Sequence, residues 1–467
     1  MPPRIPKIPS GRFAVASGSR PAFEQKAFAK SSSPWSSSSN LATMRHPADM
    51  TGEELGAACV AAAREAVESA PFWDLVVERA VTLGPVMEPR EISLLLNGLS
   101  RTRQLSSRLS AVKSLDPVIR SKLAYFSSIQ LAMTVSALAK AFSVSSLPPE
   151  LIAALVKETK SRIHEFSTGV EFSMILNGLA KLGVVDSALA TRLASVVSSR
   201  LATTSFHVRE LCVIASALAS LGVKDATVFD TIVARAVPVA AEATPAELAR
   251  LAAAVAKANG PLEKVLIATL ETHGHRFRFL SPTDVTSAVF GFGSVCEHAE
   301  CNSSLTALLD ELKVAFIGSL PLFQPKDIAS VLTSFARWRV ALSAAERDAV
   351  VSKLISMSRR IDGQEAVAIV ASLESAELAQ MLRPAVVVEL SSCGKLTSAE
   401  WQATAKAVAG MVRSGLVDSS LIDAIGICVI KNSASMDRSV GAALRESLSA
   451  VLEPDHDLRL ALAELHR

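Results

Sequence analysis

The chain has 467 residues, more than one hydrophobic core usually holds, which calls for several domains or a repeat array. Apolar residues make up 49% but aromatics only 5%, with a single tyrosine, Tyr125, a balance that suits close-packed helices better than sheets. The net charge of +3 is too small for a generally basic protein, and no apolar run approaches the ~18 residues of a membrane-spanning helix.

The six cysteines, Cys59, Cys212, Cys296, Cys301, Cys393 and Cys428, show no C-x-x-C spacing and mostly sit inside apolar helical patterns. That is not a disulfide framework, and it points to a reducing compartment. The charge is uneven along the chain. Residues 1–50 hold seven Lys and Arg against Glu24 and Asp49, whereas the remainder has 41 basic and 43 acidic residues. Any anion site in the body must therefore be a local stripe.

Residues 1–44 are rich in Arg, Lys, Ser and Pro, with serine clusters at 31–33 and 36–39 and no apolar core of a secretory signal. This composition predicts an organelle-targeting presequence, disordered and cleaved within 35–50, addressed to the mitochondrial matrix with the plastid as runner-up. A plain disordered tail is the alternative. Residues 45–70 are predicted to hold an N-terminal capping helix.

From residue 71 onward one pattern recurs nine times: LLNGLSR (95–101), TVSALAK (134–140), ILNGLAK (175–181), IASALAS (214–220), LAAAVAK (251–257), AVFGFGS (288–294), VLTSFAR (331–337), IVASLES (369–375) and AVAGMVR (407–413). The third residue of each, the anchor, falls at 97, 136, 177, 216, 253, 290, 333, 371 and 409, so the period is 37–43 residues. Such a period fits two helices and two turns. Two positions after the anchor a large apolar residue stands in all nine units, as in Leu99, Leu179 and Phe335. One position after it the residue is always small, as in Gly98, Gly178 and Gly291. Five before it eight of nine are apolar, Thr404 being the exception. Positions −5, −2 and +2 share one helix face, and the small +1 column lets a neighbouring helix approach.

The second helix of each unit, helix B, is predicted to start at caps such as Thr244-Pro-Ala-Glu247, Ser281-Pro-Thr-Asp284 and Gln324-Pro-Lys-Asp327. It stops at Leu182-Gly183 or Leu221-Gly222, after which helix A of the next unit opens near Asp186 or Asp225. An isolated helix pair cannot bury its apolar face, whereas stacked pairs share one core. The predicted fold is all-α: an α-solenoid of about nine helix-pair repeats over 71–417, closed by C-terminal capping helices over 418–467.

The stretches ILNGLAKLGVVD (175–186) and IASALASLGVKD (214–225) resemble the heptatricopeptide/octotricopeptide class of organellar helical repeats, also found in FAST-kinase-domain-type mitochondrial proteins. Apolar residues about ten positions before several anchors (Phe126, Phe166, Phe206, Leu280, Phe323) fit that class. The resemblance covers about three quarters of the chain. It implies an organellar RNA-binding protein of RNA processing, stability, translation or ribosome assembly. Residues 418–467 show nothing like the RAP domain that many members carry, which argues against a nuclease-like role.

At 100° per residue, positions 0 and +4 face away from the buried stripe. Position +4 reads Arg101, Lys140, Lys181, Ser220, Lys257, Ser294, Arg337, Ser375 and Arg413: six cations, three serines and no acid. The anchor column is often small and polar, as in Asn97, Ser136, Asn177, Ser216 and Thr333. One cation and one hydrogen-bonding group per repeat predicts tracking of single-stranded or ribosomal RNA, by analogy with other repeat readers. The competing reading makes the cations C-terminal dipole caps worth ~0.3–1 kcal/mol each. Arg162, Arg200, Arg235, Arg276, Arg278, Arg359 and Arg360, at the ends of A helices, are a secondary set with the same alternative.

Cys296 and Cys301, with His298 between them and His273 and His275 upstream, do not match the spacing of a closed zinc site, and an ordinary loop is expected there. Trp73 and Trp338 are expected to pack rather than to stack on bases. No phosphate-binding loop, nucleophile elbow, H-E-x-x-H or kinase motif set is present. No metal, no cofactor and no enzymatic activity is expected. The competing function is a protein-protein scaffold, a subunit of an organellar ribosome or other complex that binds organellar proteins without touching RNA.

Overall fold

The computed structural model describes residues 45–273, 277, 280–294, 303–373, 375–432, 436–453 and 456–464; the predicted presequence lies outside them. Among the described residues there are helices and no strand, as the composition and periodicity predict. The B helices are α1 (Gly52–Arg64), α3 (Pro89–Arg101), α5 (Ser128–Ala141), α7 (Gly169–Lys181), α9 (Val208–Ser220), α11 (Pro245–Lys257), α13 (Pro282–Gly293), α15 (Pro325–Trp338), α17 (Gly363–Ser372), α19 (Ser398–Arg413) and α21 (Arg438–Leu448). The A helices between them are α2 (Ala70–Leu83), α4 (Leu109–Lys122), α6 (Pro149–Ser161), α8 (Ser187–Thr203), α10 (Ala226–Ala236), α12 (Leu262–His273), α14 (Ser303–Gly318), α16 (Ala344–Ser356), α18 (Ala376–Ser392) and α20 (Ser419–Asn432), with α22 (Asp457–Glu464) last.

Each B helix packs on the next, from α1 to α21, and the A helices stack beside them in a second row. The −5, −2 and +2 columns are buried in all nine predicted units and join one continuous core. The small +1 column does what its size predicts. A methyl group on Gly98 would lie 2.8 Å from Cys59 Cβ, one on Gly178 2.7 Å from Val135 Cγ1, and one on Gly291 2.5 Å from the Ala253 nitrogen. Over most of the array the B row is therefore more tightly spaced than the A row.

The array begins earlier than the repeat columns indicate. Counted from its cap, α1 is a B helix, with no A helix before it among the described residues. Thr51 and Glu54 form a capping box, Leu55, Ala58 and Ala62 are buried at −5, −2 and +2, and Arg64 holds position +4. At the other end α20 and α21 add a tenth helix pair within the predicted C-terminal cap.

The caps follow the sequence except at one site. Thr244 and Glu247 form a capping box, the Ser281 hydroxyl accepts from the Asp284 nitrogen, and Asp186 and Asp225 cap α8 and α10. Gln324 makes no side-chain cap bond, its side chain being two atoms too long for the geometry that serine and threonine use. At the C-terminal end of helix B, position +6 takes the left-handed conformation in Ala66, Arg103, Gly183, Gly222, Asn259, Arg339 and Gly415. In each, the following N–H donates back to the +2 carbonyl, as Val184 does to Leu179 at 3.1 Å and Val67 to Ala62 at 2.9 Å.

Candidate nucleic-acid interface

The C-terminal turns of the B helices line up along one rim of the B row, so the fold brings the +4 side chains of successive repeats near one another. Arg101, Lys140, Lys181, Lys257, Arg337 and Arg413 are all exposed, and Arg64 extends the row by one repeat. Arg64, Arg101, Lys140 and Lys181 thus form an uninterrupted run over four successive B helices.

The electrostatics register this proximity at Lys140. The Lys140 ammonium is held below the ordinary lysine range, first by partial desolvation and then by the charges of Lys181 and Arg101 on either side. Among the described residues no acid lies within ion-pairing distance of Arg64, Arg101, Lys140 or Lys181. The opposite rim differs. There the acids at the third helical position are tied into caps and into the neighbouring repeat. Glu171 accepts from the Ser128 hydroxyl at 2.5 Å and from the Ser167 and Thr168 nitrogens at 2.9 Å, and Asp284 pairs with Arg250 at 2.9 Å. One rim has its charge compensated; the other presents cations.

The rim changes character beyond α9. Lys257 approaches the Phe290 ring at 6.0 Å and Arg337 lies over the Trp338 ring at 4.6 Å. The Ser220 and Ser294 hydroxyls donate to carbonyls of their own helices, Ser216 and Phe290, both at 2.8 Å. Helix α17 closes at Ser372, so Ser375 is not in a B helix at all: it caps α18, accepting from the Leu378 nitrogen. In α19 the cap-to-anchor distance is twelve residues instead of the nine elsewhere, one extra turn. Arg413 keeps its distance to the left-handed Gly415 but stands a turn further from the cap than its counterparts.

The anchor column is less open than helix geometry alone predicts. Asn97, Asn177 and Ser216 are half-buried, and Thr333 is exposed with its hydroxyl turned back to the Ala329 carbonyl at 2.8 Å. Ser136 is buried, which corrects its assignment as a ligand contact. Gly178 allows α7 so close that a Cβ there would be 3.2 Å from the Ser136 nitrogen.

Two members of the secondary set have a structural task. Arg162 donates to the Phe126 carbonyl at 2.6 Å and Arg200 to the His164 carbonyl at 3.0 Å. Sequence reasoning did not identify the further cations that reach back in the same way from an A helix to the preceding repeat. These are Arg79 to Met50 at 2.8 Å, Lys353 to Pro321 and Lys431 to Ser391, the last two at 2.9 Å. Hydrogen bonds between A-row cations and the preceding turns thus clasp the stack together. Arg235, Arg359 and Arg360 are exposed, whereas Arg276, Arg278, His275 and the Cys296–Cys301 stretch lie outside the described residues. Both tryptophans pack: Trp73 donates to the Val67 carbonyl at 2.7 Å, and Trp338 lies against Gly293, where a Cβ would meet its ring.

Residues 42–250, somewhat under half of the chain, match the sequence model of the family described as RNA-editing substrate-binding complex 6 protein. That stretch contains α1 to α10 and the first six residues of α11, and with them the uninterrupted run of cations. The match indicates an RNA-associated helical family, under a description other than the heptatricopeptide/octotricopeptide class. No curated protein matches the chain. No helix among the described residues is long and apolar enough to cross a membrane.

Proposed function

We propose that this chain is an RNA-binding helical-repeat protein that works in a mitochondrial RNA-processing assembly, as a binding protein without catalytic activity of its own. The observation that carries this reading is the run Arg64–Arg101–Lys140–Lys181. A row of like charges with no acid in ion-pairing distance favours an anion, and a phosphate backbone supplies one at each rung. The match of residues 42–250 to an RNA-editing complex family supports the same region as the RNA-facing part. Half-buried Asn97 and Asn177 stand one turn from the cations, within reach of a base or a ribose hydroxyl.

The C-terminal half favours a different partner. There Lys257 and Arg337 lie against aromatic rings, and serines interrupt the column. This half serves as the docking surface for protein subunits of the same assembly. Photo-crosslinking of the full chain to single-stranded organellar RNA tests the division. Crosslinked peptides are expected from the ends of α1, α3, α5 and α7. A chain that yields no RNA crosslink while still assembling with proteins would make it a scaffold alone.

A further inference from the structure

Cys393 and Cys428 lie one helix pair apart, at the C-terminal end of α18 and inside α20, and neither is in a disulfide. Their sulfur atoms are 3.0 Å apart, about 1 Å longer than a disulfide bond. The two thiols differ in setting. Cys428 is sealed in the core, whereas Cys393 forms part of the wall of a cavity of about 250 Å3 beside Glu389, Leu396 and Thr404. The Asn432 amide donates toward the Cys393 sulfur at 3.6 Å and to the Cys428 carbonyl at 3.2 Å, while its oxygen accepts from the Leu396 nitrogen at 2.9 Å. The Cys393 thiol in turn donates to the Leu390 carbonyl at 3.2 Å, so its sulfur is held between that carbonyl, the Asn432 amide and the Cys428 sulfur. Burial and the neighbouring sulfur push the Cys428 thiol well above the ordinary range.

We propose that Cys393 and Cys428 form an oxidisable dithiol site whose substrate is a small hydroperoxide admitted through this cavity. The Cys393 sulfur attacks the terminal peroxide oxygen and gives up its thiol proton. The S–O bond forms as the O–O bond breaks, and the leaving oxygen takes up a proton as water or an alcohol. The Cys428 sulfur then attacks Cys393 Sγ, and the sulfenic hydroxyl leaves with the Cys428 proton as water. The two sulfurs lose two electrons in total, and the hydroperoxide is reduced by the same two. The product covalently joins α18 to α20, two neighbouring helices of the A row. In a stack whose ends open first, this fastens the C-terminal repeats to the body.

The test uses the full chain, reduced and then treated with hydrogen peroxide, with its cysteines mapped by non-reducing digestion and mass spectrometry. A linked peptide joining Cys393 to Cys428 is expected, reversed by dithiothreitol, together with a several-fold slower proteolytic cleavage within residues 419–464. Cys428→Ala leaves Cys393 singly oxidised, and Cys393→Ala leaves Cys428 unreacted. Helicity measured beside them separates a misfolded variant from an unreactive one, and the linked peptide from the unaltered chain needs no variant. Oxidation of Cys393 without a link to Cys428, or a link from either to another cysteine, would overturn the proposal.

Discussion

Gly98 faces the backbone of Cys59 so closely that a Cβ on it would sit 2.9 Å from the Cys59 carbonyl oxygen. The contact is with backbone, which cannot rotate aside, so α1 and α3 must separate to admit a larger residue. Gly98→Val is expected to destabilise the N-terminal repeats by about 1–3 kcal/mol, read as a lower urea midpoint. An unchanged midpoint would mean that the small +1 column does not set the B-row spacing.

The left-handed column at +6 makes an independent prediction. Ala66, Arg103 and Arg339 hold positive φ without being glycine, while Gly183, Gly222 and Gly415 hold it freely. Ala66→Gly should raise stability by about 0.5–1 kcal/mol, and Gly183→Ala should lower it by about 1 kcal/mol. Thermal melts of the two variants check the pair of signs.

Lys140 separates the two roles a terminal cation can play. A pure dipole cap stabilises its helix, so its removal lowers the melting temperature. A cation whose pKa is depressed first by partial desolvation and then by Lys181 and Arg101 is instead destabilised by folding. Because the folded pKa lies below the unfolded one, stability rises as pH climbs through the folded value. Lys140→Met is therefore expected to raise stability by a few tenths of a kcal/mol while weakening RNA binding. Arg162→Met is the contrast: it removes bonds to the Phe126 carbonyl and to Glu158 and Glu165, and should destabilise by about 1–2 kcal/mol. Loss of stability in Lys140→Met would return the +4 column to capping alone.

Glu171 supplies an acid-side prediction. Burial pushes its carboxyl up, but the bonds from Ser128, Ser167 and Thr168 outweigh that and hold it below the ordinary glutamate range. Its contribution is present above the unfolded pKa and is lost as pH falls through the folded one. Glu171→Gln should flatten the acid limb of a stability–pH curve below about pH 4.3 and cost about 1–2 kcal/mol at neutral pH.

Much of this architecture is legible in the amino-acid order because a stacked repeat writes each packing contact many times. The buried columns and the glycines at +1 needed only the period. What escaped had local reasons. Arg64 was hidden because α1 carries Ala62 where other units carry a large apolar residue, so its unit lacks the column signature. The left-handed residues Ala66, Arg103, Asn259 and Arg339 carry no glycine to mark them. The extra turn of α19 did leave a trace: the polar Thr404 stands at −5 of the predicted register, while Trp401 fills that place counted from the cap. The burial of Ser136 depends on how closely α7 approaches, which no single repeat encodes. Cys393 and Cys428 are 35 residues apart, close to one repeat period, and that spacing was the available signal for their contact.

The salt dependence of RNA affinity tests the central claim most directly. If Arg64, Arg101, Lys140 and Lys181 each neutralise one phosphate of a single strand, they contribute roughly −3 to the slope of log K against log salt, at about −0.7 per contact. Lys257, Arg337 and Arg413 add to that only where the strand reaches them. Changing the first four to Gln should remove that contribution and weaken binding across sequences, with helicity unchanged because Gln keeps helix propensity. A fourfold variant that binds single-stranded RNA with the parent's affinity and slope would contradict an RNA path along the B-helix rim.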